Sequence, residues 1–138
     1  MKIQCILVAV LIALVLSVTP AFPHHSFAAE FDASKPLTLK GNITKLDMVN
    51  PHSWLYLDVK APDGKIVNWA IEMGSPNALI RRGITRASVP IGGEVTVEGY
   101  RAKDGTPTAN GTTIKLADGR QLFAGSTAPG APGGEPNR

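Results

Sequence analysis

The chain has 138 residues, a formal net charge of +3 at pH 7 and a single cysteine, Cys5. Its basic residues are scattered apart from the pair Arg81 and Arg82, so it has no basic stripe of the kind that binds nucleic acid. One cysteine also excludes an intramolecular disulfide and a metal site built from several thiolates.

The first segment of the chain has the pattern of a secretory signal peptide. Lys2 is followed by an uncharged apolar run over residues 3–18, and small residues at Thr19 and Ala21 fit a cut after Ala21. An uncleaved anchor is the alternative, but the apolar run is shorter than the roughly 20 residues that a spanning helix needs. We therefore expect residues 1–21 to be removed, which places the protein in the periplasm or outside the cell. The membrane is then met only transiently, through this segment.

The composition after the signal peptide divides the chain into three parts. Residues 22–36 form an N-terminal arm, residues 37–124 have the patterning of a folded domain, and residues 125–138 are rich in Gly and Pro. A tail of that composition buries too little apolar surface to offset the entropy of ordering it, so we expect it to be disordered. The chain is therefore predicted to hold one small domain.

Alternation of apolar and polar residues predicts β-strands throughout that domain. The predicted strands cover residues 37–44, 52–60, 66–73, 94–101 and 108–116. A short additional hairpin, ending at Leu122-Phe123, follows the last of these strands.

A short helix is predicted between the third and fourth strands, because Ser75 is a good N-cap, Pro76 suits the first helical position and Gly83 suits the C-terminal end. This order predicts an all-β fold, a small OB-fold-like five-stranded barrel with one short helix. An open two-layer β-sandwich with a helical plug is the alternative. The predicted core consists of Leu39, Ile43, Leu55, Leu57, Val59, Val67, Trp69, Ile71, Leu79, Val95, Val97, Ile114 and Leu116.

Four motifs in this order resemble those of a known protein family. They are HHSFAAEFD at residues 24–32, NPHSW at 50–54, GSPNALIRRG at 74–83 and VEGYRAKDG at 97–105. The family is a group of small exported bacterial proteins known as domain of unknown function 6152. The resemblance implies a bacterial periplasmic or secreted protein with a small β-barrel, and it implies no particular activity or ligand.

One face of the predicted second strand carries His52, Trp54 and Tyr56, opposite its aliphatic side. The neighbouring third strand is expected to add Asn68 and Glu72 to the same face. In OB-folds this face binds oligonucleotides or oligosaccharides, so these five residues are the candidate ligand-binding site. The alternative is that the N-terminal arm packs over the two aromatic rings, because exposed aromatic patches are usually covered.

The three histidines, His24, His25 and His52, form a second candidate site, since three imidazoles suffice to bind copper or zinc. Glu30 and Asp32 in the arm are weaker candidates for additional ligands. The alternative is that the paired histidines are solvated in a flexible arm. If the arm lies against the outer face of the second strand, it brings His24 or His25 near His52.

The sequence therefore favours an exported, non-enzymatic binding module over an enzyme, because no combination of acid, base and nucleophile is present. Its expected partner is a cell-envelope protein, a glycan or a small molecule. A periplasmic copper- or zinc-binding protein is the alternative, and those two metals are the only cofactors that either hypothesis implies.

Overall fold

The computed structural model describes residues 26–125. The predicted signal peptide, the paired histidines and the tail beyond Gly125 lie outside these residues. The described elements are α1 (Phe27–Glu30), β1 (Phe31–Asp47), β2 (Trp54–Lys60), β3 (Ile66–Glu72), α2 (Pro76–Arg81), β4 (Glu94–Ala102), β5 (Thr108–Leu116) and β6 (Gln121–Phe123).

The strands form one sheet in the order β3-β2-β1-β4-β5-β6, and a further pairing of β3 with β5 closes its first five strands into a ring. The β3–β5 pairing is parallel, whereas the other pairings are antiparallel. The predicted all-β class and the helix between the third and fourth strands are confirmed. Two elements are additional: α1, and the strand β6, which the sequence indicated only as a short hairpin.

Strand β1 begins at Phe31, earlier than the predicted start at residue 37. Its first half pairs with β4 and its second half with β2, and Gly41 has register partners in both. A Cβ atom at Gly41 would collide with the carbonyl group of Asp58. The glycine therefore permits the close backbone approach where β1 passes between its two neighbours.

Aliphatic side chains fill the inside of the ring. Four predicted core residues are only partly buried, namely Val59, Val67, Trp69 and Leu116. Val59 and Val67 are register partners next to the turn that connects β2 and β3. The other nine are buried as predicted: Leu39, Ile43, Leu55, Leu57, Ile71, Leu79, Val95, Val97 and Ile114. The sequence analysis missed Leu46, Met73, Ile84, Val89, Ala109 and Ala124.

Helix α2 begins and ends where its sequence predicts. Ser75 is the N-cap residue, although its side chain makes no capping hydrogen bond, and its backbone carbonyl accepts the N–H of Leu79. Gly83 follows the helix with a φ of 84°, the left-handed conformation that ends many helices. The helix contributes the fully buried Leu79 to the core. No helix among residues 26–125 is long and apolar enough to cross a membrane.

Candidate functional site

Strand β2 has the two-sided character that its alternation predicts. Leu55 and Leu57 point into the ring and are fully buried. Trp54 and Tyr56 lie on the outer side and are half-buried. The outer side of β2 is therefore partly accessible to solvent at Trp54 and Tyr56, whereas Leu55 and Leu57 on the inner side are not.

The β2–β3 register brings the predicted ligand-binding residues together on this outer side, because Trp54 faces Glu72 and Asp58 faces Asn68. The Asn68 amide donates to Thr44 Oγ1 at 3.1 Å and to Asp58 Oδ1 at 2.8 Å. The Asn68 amide donors are thus engaged within the sheet.

The half-buried ring of Tyr56 has a close cationic neighbour. Lys45 Nζ lies 5.3 Å from the centroid of this ring. That separation is within the range of a cation–π contact. Like Asn68, Tyr56 already has a partner on the outer side of the sheet.

Glu72 and His52 are in contact at the other end of this face. His52 Nδ1 lies 3.2 Å from Glu72 Oε1, and the Glu72 side chain is 8% exposed whereas that of His52 is 23% exposed. His52 follows the cis peptide bond between Asn50 and Pro51. The more exposed imidazole is thus held against a nearly buried carboxylate.

Asn110 on β5 completes a polar group that we call the Glu72 cluster: His52, Glu72 and Asn110. The Asn110 Nδ2 amide donates to Glu72 Oε1 at 3.3 Å. Asn110 is 2% exposed, and its Oδ1 atom has no hydrogen-bond partner among the described residues. The sequence analysis did not single out Asn110, because the β3–β5 pairing that places it beside Glu72 is not local in the chain.

Burial raises the pKa of Glu72 above its ordinary value of 4.5, and the negative charge of Glu30 raises the pKa further. The positive charge of His52 and the hydrogen bonds from Asn110 and His52 oppose this rise. Two carboxylates therefore interact unfavourably on the outer side of the sheet.

The N-terminal arm packs on an aromatic cluster beside this site. The ring centroid of Phe27 lies 5.7 Å from that of Phe31 in a stacked arrangement, and 5.6 Å from that of Tyr100 in an edge-on arrangement. Tyr100 is the register partner of Asn110, which in turn is the partner of Glu72. Phe27 of the arm thus packs against both Phe31 and Tyr100, and a groove separates the arm from Trp54.

We call this depression the Trp54 groove. It is an open cavity of about 410 Å³ on the outer side of the sheet. One wall comes from α1 and the start of β1, another from Trp54, and a third from the turn that follows β4. Its lining residues are Ala29, Glu30, Phe31, Trp54, Ala102, Lys103, Asp104 and Thr108.

The predicted metal ligands are only partly visible. His24 and His25 lie outside the described residues, whereas His52 is held by Glu72 as described above. Within residues 26–125, no three His, Cys, Asp or Glu side chains lie close enough together to hold a metal ion. Of the three predicted metal ligands, the described part of the chain includes only His52.

A family model matches residues 12–112 of the chain, and its family is described as a family of unknown function, DUF6152. The chain belongs to this family. The match to the DUF6152 family confirms the resemblance drawn from the four sequence motifs. No curated protein and no solved structure matches the chain.

Proposed function

We propose that this DUF6152 protein is an exported, non-enzymatic binding module that takes a glycan of the cell envelope in the Trp54 groove. The observation that carries the proposal is an open groove with an aromatic wall at Trp54. Its volume, about 410 Å³, lies within the range of roughly 300 to 1,000 Å³ that is common for ligand sites.

The chemistry of the groove suits a sugar. An indole ring provides a flat apolar surface against which the C–H face of a pyranose stacks. Glu30 and Asp104 are hydrogen-bond acceptors for sugar hydroxyl groups, and Lys103 is a donor. Lys103 also donates to the carbonyl oxygen of Ala28 at 2.5 Å, which ties the arm to the turn after β4. The groove therefore combines a stacking surface with polar groups on a fixed frame.

Calorimetric titration with a trisaccharide of N-acetylglucosamine, and with soluble peptidoglycan fragments, tests this proposal. Trp54→Ala is expected to weaken binding by at least about tenfold, which corresponds to 1.4 kcal/mol. Trp69→Phe is the matched control, because Trp69 pairs with Leu57 and so lies on the opposite side of the sheet. Wild-type affinity is expected for this control.

Two results would contradict the glycan proposal. One is the absence of saturable binding of both probes to the wild-type protein. The other is equal affinity of the wild type and Trp54→Ala, which would place the sugar elsewhere on the molecule.

A second candidate function is copper or zinc binding through His24, His25 and His52. The observation that favours it is the contact of His52 Nδ1 with Glu72 at 3.2 Å. Histidine ligands of metals almost always donate their other ring N–H to a carboxylate, a backbone carbonyl or water.

Titration of the purified mature protein with Cu²⁺ and with Zn²⁺ tests the second candidate. Binding of one equivalent is expected in the wild type, and a large loss of affinity is expected in His52→Ala. Wild-type protein that binds neither ion tightly, or His52→Ala protein that binds as the wild type does, would remove this candidate.

A further inference from the structure

The lining of the Trp54 groove carries more negative than positive charge. Glu30 and Asp104 contribute two carboxylates to it, and Lys103 contributes one ammonium group. The other lining residues are uncharged. The groove therefore has a net negative charge, although the chain as a whole has a formal net charge of +3.

The ammonium group of Lys103 is held by the backbone of the arm. Lys103 Nζ donates to the carbonyl oxygen of Ala28 at 2.5 Å, and the Lys103 backbone N–H donates to the carbonyl oxygen of Glu30 at 2.9 Å. Both acceptors are neutral carbonyl groups. The neighbouring cation on β4, Arg101, has its guanidinium carbon 5.5 Å from the ring centroid of Trp69, on the opposite side of the sheet from the groove.

The carboxylate of Asp104 is ionised and fixed in position. Its Oδ1 atom accepts the backbone N–H of Thr106 at 3.0 Å and the Thr106 hydroxyl at 2.7 Å. These hydrogen bonds, the backbone one first, lower the pKa of Asp104 below its ordinary value of 3.8. Both bonds use Oδ1, and the residue is exposed on the turn after β4. Asp104 therefore presents a positioned negative charge at the wall of the groove.

A further carboxylate lies next to the aromatic wall. Glu72 is the register partner of Trp54, and its side chain is 8% exposed. Burial is the main cause of the raised pKa of Glu72, the negative charge of Glu30 adds to it, and the positive charge of His52 opposes it. When Glu72 is ionised, it adds to the negative potential on this side of the sheet.

We propose that the Trp54 groove binds sugars that carry a free, protonated amino group in preference to N-acetylated sugars, and that Asp104 accepts a hydrogen bond from this ammonium group. This inference rests on the glycan proposal above and names the class of sugar. Acetylation replaces the ammonium group by a neutral amide, and a hydrogen bond between charged groups is roughly twice as strong as one between neutral groups. Trp54 supplies the stacking surface for either sugar.

Calorimetric titration of the full mature chain at about pH 6 compares two trisaccharides that differ only at their amino groups. One is the trisaccharide of N-acetylglucosamine, and the other is that of glucosamine, whose amines are protonated at this pH. We expect the wild type to bind the glucosamine trisaccharide about 3- to 10-fold more tightly at low salt, and we expect high salt to reduce this preference. The positive net charge of the chain disfavours nonspecific attraction of a cationic sugar.

Asp104→Asn is matched with Asp118→Asn. Both aspartates precede a glycine in an exposed turn, and both accept the backbone N–H two residues later, of Thr106 and of Arg120, at 3.0 Å. Asparagine keeps the shape and one acceptor oxygen of aspartate but removes its charge. We expect Asp104→Asn to lower the ratio of the two affinities towards one, whereas Asp118→Asn keeps the wild-type ratio. Circular dichroism checks that both variants fold.

The failures of the two proposals are distinguishable. If the wild type binds neither trisaccharide nor the peptidoglycan fragments, the glycan proposal itself is wrong. If it binds any of them but does not prefer the glucosamine trisaccharide to the acetylated one, only the preference for an amino group is overturned. An unchanged ratio in Asp104→Asn, or an equal fall in Asp118→Asn, overturns the role of Asp104.

Discussion

The two sides of strands β2 and β3 bury side chains of opposite character. The inner side carries Leu55, Leu57 and Ile71, all fully buried among other aliphatic groups. The outer side carries Glu72, which is nearly as buried but has an imidazole and an amide as neighbours. Burial of an aliphatic group stabilises the fold, whereas burial of a carboxylate opposes it. The comparison indicates that the inner side stabilises the sheet, whereas the outer side carries polar groups whose burial must be offset by hydrogen bonds.

The largest effect is expected on the inner side. Leu57→Ala removes a fully buried side chain and should lower the free energy of unfolding by about 2 to 5 kcal/mol. Urea unfolding followed by circular dichroism measures this change. Tyr56→Ala, at the adjacent half-buried outer position, is the control and should cost less. An equal or larger loss in Tyr56→Ala would mean that the outer side also carries the stability of the sheet.

Gly41→Ala tests the point where β1 passes between β2 and β4. This is a feature of the backbone, so it is common to both sides of the sheet. The added methyl group meets the carbonyl group of Asp58, so the backbone must shift, at a cost of about 1 to 3 kcal/mol in unfolding free energy. Lys40→Ala, at the exposed neighbouring position, is the control. If the two variants unfold at the same urea concentration, the close approach at Gly41 is not required.

Glu72→Gln sharpens the comparison through the pH dependence of stability. Because the native pKa of Glu72 is raised, the Glu72 carboxyl group keeps its proton in the folded chain at pH values where it has lost the proton in the unfolded chain. The free energy of unfolding should therefore fall as the pH rises from about 4.5 through the native pKa. The titration of one proton changes the free energy of unfolding by at most about 1.4 kcal/mol per pH unit.

Urea unfolding at several pH values checks this prediction. We subtract the unfolding free energy of Glu72→Gln from that of the wild type. This difference should decrease with rising pH, because glutamine does not titrate. If this difference instead increases with rising pH, His52 stabilises the ionised carboxylate more than burial penalises it.

The smallest effect is expected from an ion pair on the exposed outer surface. Lys115 Nζ lies 3.0 Å from Glu98 Oε1, and the two side chains are 47% and 40% exposed. A double-mutant cycle of Lys115→Ala and Glu98→Ala should give a coupling energy of about 0.2 to 1 kcal/mol, reduced further by salt. A coupling that exceeds this range and persists at high salt would make this pair a stabilising feature comparable to the core.

The strand pattern of the sequence was sufficient to predict the sheet, because side chains on a strand alternate between its two sides. The alternation around Leu55 and Leu57 predicted the inner side, and Ser75, Pro76 and Gly83 predicted α2. The early start of β1 was missed, because residues 31–36 have no clear alternation and pair with β4 only through the fold. Helix α1 was missed for a similar reason, as four residues are too few for a helical period.

The outer site was predictable in part. Local alternation placed His52 and Trp54 on one face, to which the neighbouring strand was expected to add Glu72. In the structure Trp54 is the register partner of Glu72, and His52 contacts Glu72. Asn110 and Tyr100 were not recognised, because they join that face only through the parallel β3–β5 pairing and the β4–β5 pairing. The sequence by itself determined which side of each strand is apolar, since that depends on neighbouring residues. Only the tertiary structure decided which strands meet, and so placed a buried amide against a carboxylate and the arm beside Trp54.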